Sequence, residues 1–155
     1  MAITGARADN GTITPHLMVR GGRKAIEFYT RAFGAKERLR MDGPEGTIAH
    51  AEIELGDHVF MVADPFPQSA TKSPRELGAT TVSVMMYVQD VDAAVQNALD
   101  AGATITMPVE DQFWGDRFGQ ITDPFGHVWS LATHVEDVPP EQMAERAERA
   151  MAAMS

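Results

Sequence analysis

The chain has 155 residues, 44% of them apolar and 23% charged, which suits one compact domain or two small half-domains sharing a core. It contains no cysteine, which excludes disulfides, thiolate metal sites and cysteine nucleophiles and points to a reducing, cytoplasmic setting. With 13 basic residues against 22 acidic ones and a net charge of −9, it lacks the basic footprint of a nucleic-acid binder; no apolar run approaches a membrane span, so no membrane partner is expected either.

Residues 1–12 lack the apolar stretch of a signal peptide and read as a flexible leader. Pro15-His16-Leu17-Met18-Val19 then forms an apolar strand, and Gly21-Gly22 supplies a tight turn into a helix. In that helix Ala25, Ile26, Phe28, Tyr29, Ala32 and Phe33 recur at helical spacing, with Arg23, Lys24, Glu27 and Arg31 between them and Gly34 as the stop. Three strand-like runs follow: Lys36–Met41, Ile48–Leu55 and His58–Ala63. Residues 65–79, rich in Pro, Ser and Thr, read as a linker. The order then repeats. A strand through Val82–Val88 leads to a helix capped by Asp90, with Val91, Ala94, Val95, Ala98 and Leu99 as its apolar stripe and Gly102 as its end. Thr104–Val109, Phe118–Thr122 and His127–Thr133 complete the second set of strands. Within residues 135–155, Glu141–Met154 forms an amphipathic helix with Met143, Ala147, Ala150 and Met154 on one side, suited to packing or to a dimer contact.

The organising feature is an internal repeat. Gly56-Asp57-His58-Val59-Phe60-Met61-Val62-Ala63 matches Phe125-Gly126-His127-Val128-Trp129-Ser130-Leu131-Ala132, with His58 and His127 standing 69 positions apart. Self-similarity at a fixed period outranks local propensity as a guide to architecture. The fold expected is therefore α+β: tandem βαβββ units, residues 13–64 and 80–134, forming curved mixed sheets around a cavity, plus a C-terminal helix.

A tandem βαβββ chain with Phe28-Tyr29 in its first helix, Trp114-Gly115-Asp116-Arg117 before a strand and Asp123-Pro124-Phe125-Gly126 before the last one resembles the vicinal-oxygen-chelate superfamily, in its PhnB-like, glyoxalase and bleomycin-resistance branch. The resemblance spans roughly residues 13–134. It implies a small-molecule cavity and a homodimer. In metal-dependent relatives such as glyoxalase I it also implies a divalent ion held by His, Gln or Glu from the first and last strand of each unit. Nitrogen and carboxylate donors then converge on one ion at about 2.0–2.3 Å.

By the family's spacing those positions fall on Thr14, Met61, Ser83 and Ser130, whose hydroxyls and thioether make no tight transition-metal site. No metal and no other cofactor is expected. The cavity would instead be lined by Thr14, His16, Met61, Ser83, Met85 and Ser130, with Phe113 and Trp114 at its mouth and Arg117 as an anion contact or a structural ion pair. The same residues could equally pack a sheet interior and leave a small void. His50, Glu52 and Glu54 share the polar side of their strand and read as solvated. The leading expectation is a protein that sequesters a partly aromatic organic ligand. The alternative is a metal-dependent lyase, isomerase or dioxygenase using His16 and Glu52, and a metal-free enzyme with His16 as general base stands behind both.

Overall fold

A computed structural model describes residues 10–155. The first unit comprises β1 (His16–Met18), α1 (Gly22–Phe33), β2 (Lys36–Asp42), β3 (Ile48–Leu55) and β4 (His58–Ala63). The second comprises β5 (Ser83–Tyr87), α3 (Val91–Asp100), β6 (Thr104–Asp111), β7 (Asp116–Thr122) and β8 (Val128–His134). A short helix, α2 (Pro74–Leu77), lies in the segment read as a linker, and α4 (Pro140–Ala153) follows the second unit. The two four-stranded sheets have orders β1-β4-β3-β2 and β5-β8-β7-β6. In each, the opening strand pairs parallel to the closing one and the other neighbours run antiparallel. The tandem α+β architecture is borne out. Most of the leader, residues 1–9, lies outside the described residues.

Local chemistry fixes where the helices begin and end. Gly21 has φ 99°, a conformation glycine adopts without penalty, and this aims two successive backbone N–H groups at one carboxylate. Gly21 donates to Asp64 Oδ1 at 2.8 Å and Gly22 to Asp64 Oδ2 at 3.1 Å, so a residue just past β4 caps α1. A Cβ on Gly22 would meet that same Oδ2 at 2.7 Å and Ile48 at 2.8 Å, so the turn tolerates no side chain there. In the second unit Asp90 Oδ1 accepts from the Ala93 N–H at 3.0 Å, the cap that the sequence signals.

The two units join through the helix-bearing sides of their sheets. Tyr29 and Phe33 of α1 meet Phe60 of the first sheet and Trp129 of the second, with ring centroids 5.3 Å apart for Tyr29–Phe60 and 4.8 Å for Phe33–Trp129. Trp129 is 1% exposed. At the centre is Asp123, itself only 3% exposed. Its Oδ2 accepts from Tyr29 Oη at 2.7 Å and Trp129 Nε1 at 3.0 Å, while Oδ1 accepts from the backbone of Phe125 and His127. Burial, and then the neighbouring Asp123 charge, pushes the Tyr29 hydroxyl well above its usual range, so it stays a donor. His127 reaches back across the junction, its Nε2 lying 2.7 Å from the Met18 carbonyl.

Because the helix-bearing faces share one core, the opposite faces of the two sheets point away from each other. Tyr29→Phe removes a donor from a buried carboxylate without changing ring volume. It should lower stability by about 1.5–3 kcal/mol, measured by urea unfolding, the range for hydrogen bonds to charged groups. An effect below a few tenths would remove Asp123 from the junction.

Candidate functional site

The open face of the first sheet is set by strand register. His16 pairs with Met61, Met61 with Glu52, Glu52 with Leu39 and His50 with Met41, and paired residues share a face. Thr14 lies just before β1, where its hydroxyl donates to the Asn10 carbonyl at 3.2 Å. The His16 and His50 rings meet edge to face at 5.9 Å, and burial, then the His50 charge, holds the His16 imidazole below its usual 6.5.

Glu52 corrects the solvated reading of its strand side. It is 2% exposed. A register shift between Glu37 and Leu39 lays Arg38 over it, and Arg38 Nε donates to Glu52 Oε2 at 3.1 Å while the same guanidinium bonds Asn10. His50 Nε2 stands 3.7 Å from Glu52 Oε1, beyond hydrogen-bond reach.

The second sheet carries the other half of the expected lining. Ser83, Met85 and Tyr87 alternate on β5, and Met85 pairs with Ser130, which in turn pairs with Gln120. Gln120 Nε2 donates to Ser130 Oγ at 3.2 Å. Phe118 and Met107 share this face by their pairings with Ala132 and Gln120. Phe113, Trp114 and Phe118 form a chain of edge-on contacts, 5.0 Å between the first pair and 5.7 Å between the second. Arg117 is placed otherwise. It sits one residue out of phase with Phe118 and so faces the helix side, where it pairs with Asp92 of α3 at 2.7 Å and with Asp111 at 3.1 Å. Its guanidinium is committed to structure, and its partners are not the Asp116 or Glu110 that proximity in sequence suggests.

The sequence did not reveal the network at the rim of this face. Asp116, 3% exposed, accepts from Tyr87 Oη at 2.9 Å, Trp114 Nε1 at 3.0 Å and His134 Nδ1 at 2.9 Å. His134 Nε2 lies 2.6 Å from Asp137 Oδ1. An imidazole facing a carboxylate at each nitrogen satisfies both only by donating from both, which is the protonated form. The hydrogen bonds to Asp137 and then Asp116 accordingly raise the His134 pKa. Burial works against ionisation of Asp116, yet the bonds from His134, Tyr87 and Trp114 prevail and hold it below the usual range. Gly115 beside it is obligatory: φ is 100°, and a Cβ would lie 2.1 Å from the Glu136 carbonyl oxygen.

A cleft of about 950 Å³ opens between the units on the helix side, with Phe33, Phe60, Trp129, Val84 and Met86 in its lining. Met85 and Tyr87 of the second sheet's open face also border it.

These elements find their counterpart in known proteins: a family model described as Glyoxalase/Bleomycin resistance protein/Dioxygenase superfamily matches residues 12–131. The chain belongs to that superfamily. This superfamily member is 42% identical to Rv0887c of Mycobacterium tuberculosis over 134 residues, covering 84% of its own length and 79% of the relative's. TioX from Micromonospora sp. ML1 superimposes with a TM-score of 0.63 at 29% identity, over 81% of this chain and 100% of the other. TnmS3, an antibiotic binding protein from Streptomyces sp. CB03234, shares the fold, with a TM-score of 0.62 at 18% identity over 86% of this chain and 99% of its own. No helix among the described residues is long and apolar enough to cross a membrane.

The divalent ion of metal-dependent superfamily members needs nitrogen and carboxylate donors that do not come together among the described residues. The four positions expected from the family's spacing are Thr14, Met61, Ser83 and Ser130, and among the described residues no three of His, Cys, Asp and Glu converge to hold an ion. Glu52, on the same sheet face as His16, already has Arg38 across it.

Two outcomes test these electrostatics. His134 has a raised folded-state pKa, so its contribution is complete below its usual 6.5 and is lost as pH rises through the raised value. Hydrogen exchange across residues 135–139 should therefore quicken as pH climbs above 6.5, beyond the intrinsic rate change, and His134→Gln should flatten that dependence. His16, followed by NMR titration, should protonate below 6.5, and His50→Ala should move it part of the way back.

Proposed function

We propose that this protein binds and sequesters a small, partly aromatic organic molecule without a metal ion, at a site built from two copies of the chain. The carrying observation is an open, apolar wall on the second sheet. Met85, Tyr87 and Met107 are all more than two-fifths exposed there, beside Trp114 and Phe118, while the first sheet's open face leaves Leu39 and Met41 exposed. Flat rings suit such a surface. Thioethers adjust to irregular outlines, aromatic rings stack, and a few polar groups set orientation.

The half-sites of one chain face away from each other. A two-fold-related copy would bring the first sheet of one protomer, with His16, Met61 and Glu52, against the second sheet of its partner, with Ser83, Met85 and Ser130. Two equal cavities result, and the exposed residues of both faces become lining or interface. The family relationship supports this reading, as does the likeness to TnmS3, named as an antibiotic binding protein.

Native mass spectrometry of protein purified without chelators tests all parts at once. The expected species is a dimer without stoichiometric transition metal that takes up two planar ligands. Met85→Glu places a charge in the wall and should weaken that uptake by at least about tenfold, the effect of an unpaired charge facing an apolar ligand. One Ni, Zn, Mn or Fe per site would instead identify an oxygen-chelating catalyst.

A further inference from the structure

Tyr87 presents an arrangement that the wall's shape alone does not require. Its ring lies on the open face of the second sheet, 62% exposed, yet its hydroxyl turns inward to the buried Asp116 carboxylate at 2.9 Å. A phenol has one proton to donate and lone pairs with which to accept. Here the proton is committed to an ionised carboxylate, the stronger kind of hydrogen bond, and the polarised oxygen is left with acceptor capacity only. Trp114 Nε1 donates to the same Asp116 oxygen, so that ring offers the face a π surface and no donor. His134 occupies the other oxygen and fixes the carboxylate from the far side. Asp116 thus settles the hydrogen-bonding polarity of two ligand-facing rings that it does not expose to the ligand.

Resting on the sequestration reading above, we propose that Tyr87 is a specificity-determining residue that selects planar ligands carrying an N–H donor, and that Asp116 is its positioning residue. The phenol does not act as a base. Its hydrogen bond to Asp116, followed by burial, raises its pKa, so it remains protonated and directed at the carboxylate. A ligand N–H meets a pre-oriented oxygen at the rim while its rings lie over Met85 and Met107. A ligand offering only an acceptor meets lone pairs facing lone pairs.

Three acridines of nearly equal outline test this: 9-aminoacridine, cationic with N–H donors; N-methylacridinium, cationic without one; and neutral acridine. Dissociation constants come from fluorescence anisotropy on the intact protein, and methionine-methyl NMR shifts at Met85 and Met107 locate the bound dye. Wild type should prefer 9-aminoacridine over N-methylacridinium on the order of tenfold, the worth of one good hydrogen bond. Tyr87→Phe should bring the two cations within about twofold of each other by weakening 9-aminoacridine more than N-methylacridinium. Asp116→Asn lets the amide donate to the phenol oxygen, so the preference should vanish there too, with Trp114 emission reporting whether the wall stays packed. Equal binding of both cations to wild type, or a preference that survives Tyr87→Phe, overturns the assignment and leaves the sequestration reading standing. Failure of every dye to shift Met85 and Met107 overturns both.

Discussion

One buried carboxylate decides how the two halves of this protein sit. Asp123 lies in the last turn of the second unit, but one of its four hydrogen bonds comes from Tyr29, in the helix of the first. Removing a charge from water costs several kcal/mol unless its lone pairs are met, so the turn, the indole of Trp129 and α1 must all be in place together. The helix-bearing faces are thereby fused into a single aromatic core. Everything about the candidate site follows from that choice of which faces to bury, since no helix among the described residues packs over the other two faces.

That arrangement also explains how the ligand chemistry could diverge without disturbing the fold. The positions that the family's spacing picks out for an ion lie on or beside the open faces, with Met61 and Ser130 turned to the opposite side of their strands from Phe60 and Trp129. Thioether and hydroxyl groups at Met61, Ser83 and Ser130 therefore cost the core nothing. The rim network is a separate device. Asp116 gathers a tyrosine from β5, a tryptophan from the loop before β7 and a histidine from the end of β8, and through His134 it reaches Asp137 just ahead of α4. The wall of the site and the root of the C-terminal helix share one electrostatic unit.

The fold was largely legible in the sequence because the repeat carried it. Phe60 and Trp129 occupy equivalent places in the two copies, and they meet in the core at 5.7 Å. The family's spacing, counted from the Asp-Pro-Phe-Gly turn, picked out Ser130, and the strand pairing puts it on the face opposite the helices. What escaped depended on irregularity or on long-range partners. Glu52 reads as solvated by alternation alone; the bulge that swings Arg38 over it has no sequence signature. His134 looks uninformative past the last strand, because its partner Asp116 comes into reach only through the register of β7 against β8. For Arg117, read as an anion contact or a structural ion pair, the structure shows the pair, and strand parity counted from the same turn puts it out of phase with Ser130.

The two equivalent turns have had different fates. Gly56-Asp57 in the first copy remains out in solvent, where His58 Nε2 lies 3.4 Å from Asp57 Oδ1. Its counterpart in the second copy became the keystone of the junction. Descent from a duplicated ancestor would thus leave the halves with unequal freedom: one hairpin can accumulate changes at little cost, while the other is pinned at nearly every atom. Divergence between the two turns should be read as division of labour, the second anchoring the junction and the first left free to vary.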